Sequence, residues 1–321
     1  MAAPALQRQT SATGTAADVG NTASAAVLQK RLARLAAHLL VALIALVAIG
    51  GSTRVMEAGL ACPDWPLCYG SLLPGRQMNL QVFLEWFHRL DAFVVGVGLL
   101  VLAGASVWWR RLLPPWQPPL AVLCVLLVAA QAGLGALTVL QLLPAAVVTA
   151  HLLTALLLVA LLSACHQGLR QPASPVPPVA SGWRGLLALA SGLALLLVLG
   201  QCLLGGLMAS QWAAGRCLNA GDGCSWLFSH RLAARPAALA VLLQAGLLAW
   251  QRPGLRPLSL FSTLLVALQI ALGVLSLRLS LQVPAITVAH QISAALLVAA
   301  LAALTVQTQR SAPSLSEPSH G

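Results

Sequence analysis

The 321-residue chain is 59% hydrophobic and 8% charged, with a mean hydropathy of +0.86, which leaves too little polar surface to cover a soluble domain of this length. A net charge of +11 would suit a polyanion, but the basic residues sit at the ends of apolar runs and alternate from loop to loop. That placement records membrane topology and argues against a nucleic-acid partner.

Residues 1–30 are rich in Ala, Ser, Thr and Gln and nearly free of acid. They read as a disordered cytoplasmic tail, although a transit peptide has similar chemistry. Lys30, Arg31 and Arg34 precede the first apolar run, 34–51, which ends on Gly50-Gly51. An outer loop with Cys62-Pro-Asp-Trp-Pro-Leu-Cys68 leads to the second run, 86–109, opened by Glu85-Trp-Phe-His88-Arg89-Leu90 and closed by Arg110 and Arg111. The third, 118–140, carries Gln131-Ala-Gly-Leu-Gly135, and the fourth, 145–166, carries His151 shortly after Pro144. A Pro-rich stretch, Gln171–Ala180, separates these from four more runs. The fifth, 184–208, contains Gln201-Cys-Leu-Leu-Gly205-Gly206, and Cys217 and Cys224 follow it in a loop. The sixth, 228–250, opens on His230-Arg231-Leu232; the seventh, 257–277, holds Gln269-Ile-Ala-Leu-Gly273; the eighth, 284–306, holds His290 after Pro284.

Each run is long enough to cross the hydrocarbon core as a helix, and none alternates as a barrel strand does. The expected fold is an all-α integral membrane protein of eight transmembrane helices, arranged as two tandem four-helix bundles. The basic loops place both termini in the cytoplasm. The implied division is a tail at 1–30, a first bundle at 31–170, a linker at 171–183, a second bundle at 184–309 and a second tail at 310–321. The recurring Gln-x-x-x-Gly and His-Arg-Leu strings mark a duplication, and four helices per unit give both halves the same orientation.

His88 and His151 are 63 residues apart, and His230 and His290 are 60 apart. All four open even-numbered helices and so share a depth near the outer face, whereas His38, His166 and His320 do not. An isolated intramembrane histidine usually hydrogen-bonds a neighbouring helix. Two matched pairs instead fit two haems, each clamped between facing helices by neutral imidazoles.

Glu85 lies three residues before His88 on one helical face, while Leu227 holds that place before His230. The carboxylate can serve as a base or a charge stabiliser beside a haem, or it can pair with Arg89 one turn on. Arg89 and Arg231 suit haem propionates or the lipid head groups equally. Arg235, followed by Pro236, is a charge at depth that requires a partner or a cavity. On an oxidising face, Cys62–Cys68 and Cys217–Cys224 are expected as disulfides; four-cysteine zinc binding lacks its usual spacing, and a redox role for the first pair stays open. Cys124, Cys165 and Cys202 fall in helices and read as packing residues.

With these residues in view, the chain resembles the haem A synthase family, in its bacterial form with paired loop cysteines. The likeness rests on Gly50-Gly-Ser-Thr-Arg54, Asp64-Trp-Pro-Leu-Cys68, Glu85-Trp-Phe-His-Arg89, and the Gln131–His151 and Gln269–His290 units. The resemblance implies oxidation of the C8 methyl of haem O to a formyl group by successive hydroxylations with water-derived oxygen. It implies haem O as substrate on His88 and His151 and haem b as cofactor on His230 and His290, with Glu85 the candidate catalytic residue, placed to stabilise positive charge at the methyl carbon and to help water attack. It further implies a multi-pass protein of the bacterial cytoplasmic (inner) membrane with its haem sites toward the outer face. Handover from haem O synthase, contact with oxidase assembly factors and a separate electron acceptor would accompany this role. The competing readings are a di-haem cytochrome b-like electron-transfer protein and a non-catalytic haem carrier; both account for the histidines but not for the acid confined to one half.

Overall fold

Hydrocarbon offers no partner to a bare backbone amide or carbonyl, so long apolar runs close their hydrogen bonds within helices. The computed structural model describes residues 16–170, 181–213 and 215–309, and among them eight helices are long and apolar enough to cross a membrane. In chain order they are α1 (Ala16–Val55), α2 (Leu80–Trp108), α3 (Gln117–Leu140), α4 (Ala145–Leu169), α5 (Ser181–Ala213), a short α6 (Arg216–Ala220), α7 (Ser225–Gln251), α8 (Arg256–Arg278) and α9 (Pro284–Gln309). No strand occurs among the described residues. Asn79 caps α2 by accepting from the Val82 amide at 2.9 Å, and prolines open α3, α8 and α9, where a missing N–H costs nothing.

Two boundaries differ from expectation. Helix α1 begins at Ala16, inside the segment expected to be a tail, because an alanine-rich lead-in continues the helix before the membrane run. Residues Ser181–Trp183, assigned to the linker, already form the first turn of α5. Residues 1–15, the Gln171–Ala180 part of the linker and the tail at 310–321 lie outside the described residues.

Polar contacts tie together the end of the bundle that carries the start of α1 and the end of α9. The Gln29 side chain donates to the Leu112 carbonyl at 3.4 Å, and the His166 ring meets the Ala33 carbonyl at 2.8 Å. Gln307 donates to Gln167 at 3.1 Å. The connections α1–α2, α3–α4, α5–α7 and α8–α9 occupy the opposite end, with both cysteine pairs. The α3–α4 and α8–α9 turns are copies of one design. Leu143 donates to the Thr138 carbonyl and Leu281 to the Ser276 carbonyl, both at 2.8 Å. Leu142, Leu143, Ser280 and Leu281 all take the left-handed conformation that this helix ending requires.

Helices α1, α4, α5 and α9 form the centre, with α2 and α3 packed outside one half and α7 and α8 outside the other. Ser163 on α4 donates to the Ala299 carbonyl on α9 at 2.7 Å, and the run Ala294–Leu304 of α9 is buried except for the half-buried Leu296. Each half also buries one amide–hydroxyl pair, Gln117 to Ser106 at 2.8 Å and Gln244 to Ser191 at 3.2 Å, the hydrogen-bonded glue usual between membrane helices.

The halves meet through the second glycine of each Gly-Gly pair. A Cβ on Gly51 would lie 2.6 Å from Gln291 Oε1 on α9, and one on Gly206 would lie 3.0 Å from Thr149 on α4. Gly51→Leu is therefore expected to destabilise the bundle by about 1–3 kcal/mol through overpacking. Gly104→Leu, at a position where a Cβ meets nothing within 4 Å, should leave stability nearly unchanged. Unfolding in mixed micelles with rising dodecyl sulfate, followed by circular dichroism, checks both.

Candidate functional site

The α-helical period turns His88 of α2, His151 of α4, His230 of α7 and His290 of α9 inward onto one continuous cavity of about 2540 Å³. Ordinary ligand pockets reach about 1,000 Å³, so this volume accommodates more than one large ligand. His88 and His151 face each other with ring centres 6.4 Å apart and planes at 70°. Two imidazoles sharing one metal ion at about 2 Å each would hold their centres on the order of 6 Å apart.

Each imidazole lies against a glycine of a neighbouring helix. A Cβ on Gly50, Gly205 or Gly273 would come within 2.9, 3.0 and 3.0 Å of Cε1 of His88, His230 and His290, and one on Gly135 within 3.5 Å of His151 Cε1. One turn before three of these glycines stands a glutamine. Gln131 donates to the His151 carbonyl and Gln201 to the His230 carbonyl, both at 2.9 Å, while Gln269 approaches the His290 ring at 3.5 Å. Ser293 donates to Gln269 Oε1 and to the His290 carbonyl. The fourth place, before Gly50, is Leu46.

The donor set suits a haem. Nδ1 of His88, His151 and His290 is buried with no hydrogen-bond partner among the described residues, a cost that ligation or ring-nitrogen pairing would relieve. Among those residues no three histidine, cysteine or acidic side chains cluster to cage a bare ion. Paired imidazoles in an apolar cavity are how a protein holds porphyrin iron from its two faces.

The loop between α1 and α2 is fastened to the ligand helix. Glu85 is 5% exposed. One carboxylate oxygen accepts from Arg89, and the other accepts from the Cys62 amide at 2.8 Å. Arg89 also donates to the carbonyls of Asp64, at 2.6 Å, and Leu67. The sequence left Arg89 open to a propionate; the structure commits its terminal nitrogens to the loop and to Glu85. Cys62 and Cys68 form a disulfide, as do Cys217 and Cys224, which removes the thiolates zinc would need. In the second half Leu227, at the place of Glu85, packs directly on Cys217 and Cys224. The same junction is thus made by hydrogen bonds to a buried charge pair in one half and by an apolar contact in the other.

Arg54, Arg231, Arg235 and Arg278 line the cavity along with Arg89, while its carboxylates are Glu57 and Glu85, both from the first half. Arg231, Arg235 and Arg278 are exposed, whereas Arg54 is partly withdrawn and shares the cavity with His290. Cys124 and Cys165 are buried and unbridged, and Cys202 is half-buried and likewise unbridged. The glycine walls and the place of Arg54 in the cavity lining were missed from sequence. The first had a visible signal, the spacing of each glycine after its glutamine.

Residues 33–302 match the COX15-CtaA family, described as Cytochrome oxidase assembly protein. The chain is 34% identical over 195 residues to Heme A synthase of Shewanella oneidensis, covering 56% of this chain and 57% of that one. It is 30% identical over 323 residues to Heme A synthase of Rhizorhabdus wittichii, covering 82% and 90%. A stretch of 65 residues is 43% identical to Protoheme IX farnesyltransferase of Haloarcula marismortui, covering 20% of this chain and 13% of that one. The chain thus spans little more than half of the Shewanella relative and most of the Rhizorhabdus one.

Asp64 closes the tip of the first loop by accepting from the amides of Gly70, at 2.8 Å, and Tyr69, at 2.6 Å. The Gly70 amide, seconded by that of Tyr69 and by the Arg89 charge, holds its carboxyl below the usual carboxylate range. A lowered folded value stabilises above the unfolded value of about 3.9 and is lost as pH falls through the folded one. The loop should resist pepsin at pH 4 and yield as the medium becomes more acid. Asp64→Ala should speed tryptic cleavage after Arg76 several-fold at neutral pH.

Proposed function

The chain belongs to the haem A synthase family of cytochrome oxidase assembly proteins, and from that membership we propose that it oxidises the C8 methyl of haem O to the formyl of haem A. The observation that carries this reading is the pair of glycine-walled imidazole sites sharing one apolar cavity, with a buried carboxylate beside only one of them. His88 and His151 would hold haem O, and His230 and His290 would hold haem b. Arg231 stands beside the second pair as a propionate contact. A haem b held by His230 and His290 would supply one-electron transfer between the substrate site and an acceptor of separate identity.

Converting methyl to formyl takes in one water and releases four electrons and four protons. Removing electrons leaves cationic character at the methyl carbon, which the Glu85 carboxylate stabilises while accepting a proton from the attacking water. The apolar walls keep other water away and admit the farnesylated substrate from the bilayer. Positive loops orient the chain with both termini in the cytoplasm, which puts the cavity toward the outer face of the bacterial inner membrane. A protein related in part to a protoheme farnesyltransferase suits direct handover of an insoluble substrate, with oxidase assembly factors taking the product.

Extraction and chromatography of haems after co-expression with a haem O source tests the proposal. A haem A peak is expected from the unsubstituted chain, and Glu85→Ala should remove it while haem b stays bound. Normal output from Glu85→Ala would end the catalytic role. Arg89→Ala separates that role from loop fastening: if it abolishes haem A equally, Glu85 acts by holding the loop. Haem O left unconverted by folded protein would favour the electron-transfer reading.

The glycine walls give a second prediction. Gly50→Ala pushes a methyl into His88 and should lower haem A output about tenfold or more. Gly135→Ala meets His151 at ordinary contact distance and should be tolerated. Haem b content, read from the reduced spectrum, should be unchanged in both.

A further inference from the structure

We propose that Arg54, carried by the first half, is the cation that receives a propionate of the haem held by the second half. The inference rests on the assignment of His230 and His290 to a resident haem. Gly51, one turn before Arg54 on the same helical face, is the residue of α1 that lies against Gln291, the immediate neighbour of His290. That packing aims the Arg54 face of α1 across the seam, and Arg54 lines the same cavity as His290.

Among the described residues no hydrogen bond engages the Arg54 guanidinium, and the ion pair they contain is Arg89 with Glu85. A cation withdrawn into an apolar bundle is costly unless an anion meets it. The second half's share of the cavity contributes no carboxylate to do so. An arginine in the last turn also complements the dipole of α1, but that role is served from any rotamer and does not require a place in the cavity. The corresponding position on α5, three residues after Gly206, is Ala209, so the first-half site receives no such charge in return. A permanently held haem gains an anchor that an exchanging one lacks.

The test uses the full-length chain purified in detergent, loaded with iron protoporphyrin IX or with its dimethyl ester, which has lost both propionate charges. Loss of haem to excess apomyoglobin is timed spectroscopically. Arg54→Gln should keep the paired-imidazole spectrum yet release protoporphyrin iron about tenfold faster, the scale of one charge-assisted hydrogen bond. Arg54→Lys should restore most of the retention. With the dimethyl ester, the unsubstituted chain and Arg54→Gln should release at equal rates. Equal rates with the free acid, or the same acceleration with the ester, would overturn the role of Arg54. Should Arg54→Gln fail to fold, a release rate from the unsubstituted chain that is the same for acid and ester overturns it too. His290→Ala, which should lose the second haem altogether, tests the underlying assignment: a second-half haem retained in that variant would overturn the assignment and the proposal together.

Discussion

The absence of four side chains governs this molecule. Membrane helices pack closely, and an imidazole that must present a ring nitrogen to a ligand needs a neighbour that will not fill the space beside it. Gly50, Gly135, Gly205 and Gly273 each provide that space opposite one histidine. With a Cβ at the tightest of them the ring would have to swing, and the cavity would close around the displaced side chain. The histidines determine what the site can bind, but the glycines determine that there is a site.

The parts of this arrangement that repeat were legible in the chain. Uninterrupted apolar runs announced the helices, the matched histidine spacing picked four of seven, and the closely spaced cysteines announced the loop staples. What stayed hidden depended on which surfaces meet in space. Arg89 was open to a propionate, to the head groups or to Glu85; its partners are Glu85 and the carbonyls of Asp64 and Leu67, and a carbonyl has no sequence signature. Arg54 stood in the sequence only as the end of the Gly50–Arg54 string, since nothing local tells which half that helix end faces. Helix α1 ran further back than its hydropathy indicated because alanine favours helix with or without a membrane.

The duplication is also a record of divergence at equivalent places. Glu85 against Leu227 changes how a disulfide loop is fastened to the ligand helix, from charge to apolar contact. Leu46 against Gln201 removes an amide from beside one histidine, and Arg54 against Ala209 supplies a cation to one site alone. The two halves share their helix order and their histidine and glycine placements, and differ at these sites in a handful of side chains.

The seam through Gly51 and Gly206 has an ancestral consequence. Because α1 of one half packs on the last helix of the other, and α5 returns the contact, the junction has the reciprocal form of a two-fold homodimer interface. A lone four-helix unit would present that face unpaired and would have to find a second copy of itself. In such a dimer every substitution would appear twice, and the two pockets would be condemned to remain alike. Two units carried in one polypeptide are free of that symmetry.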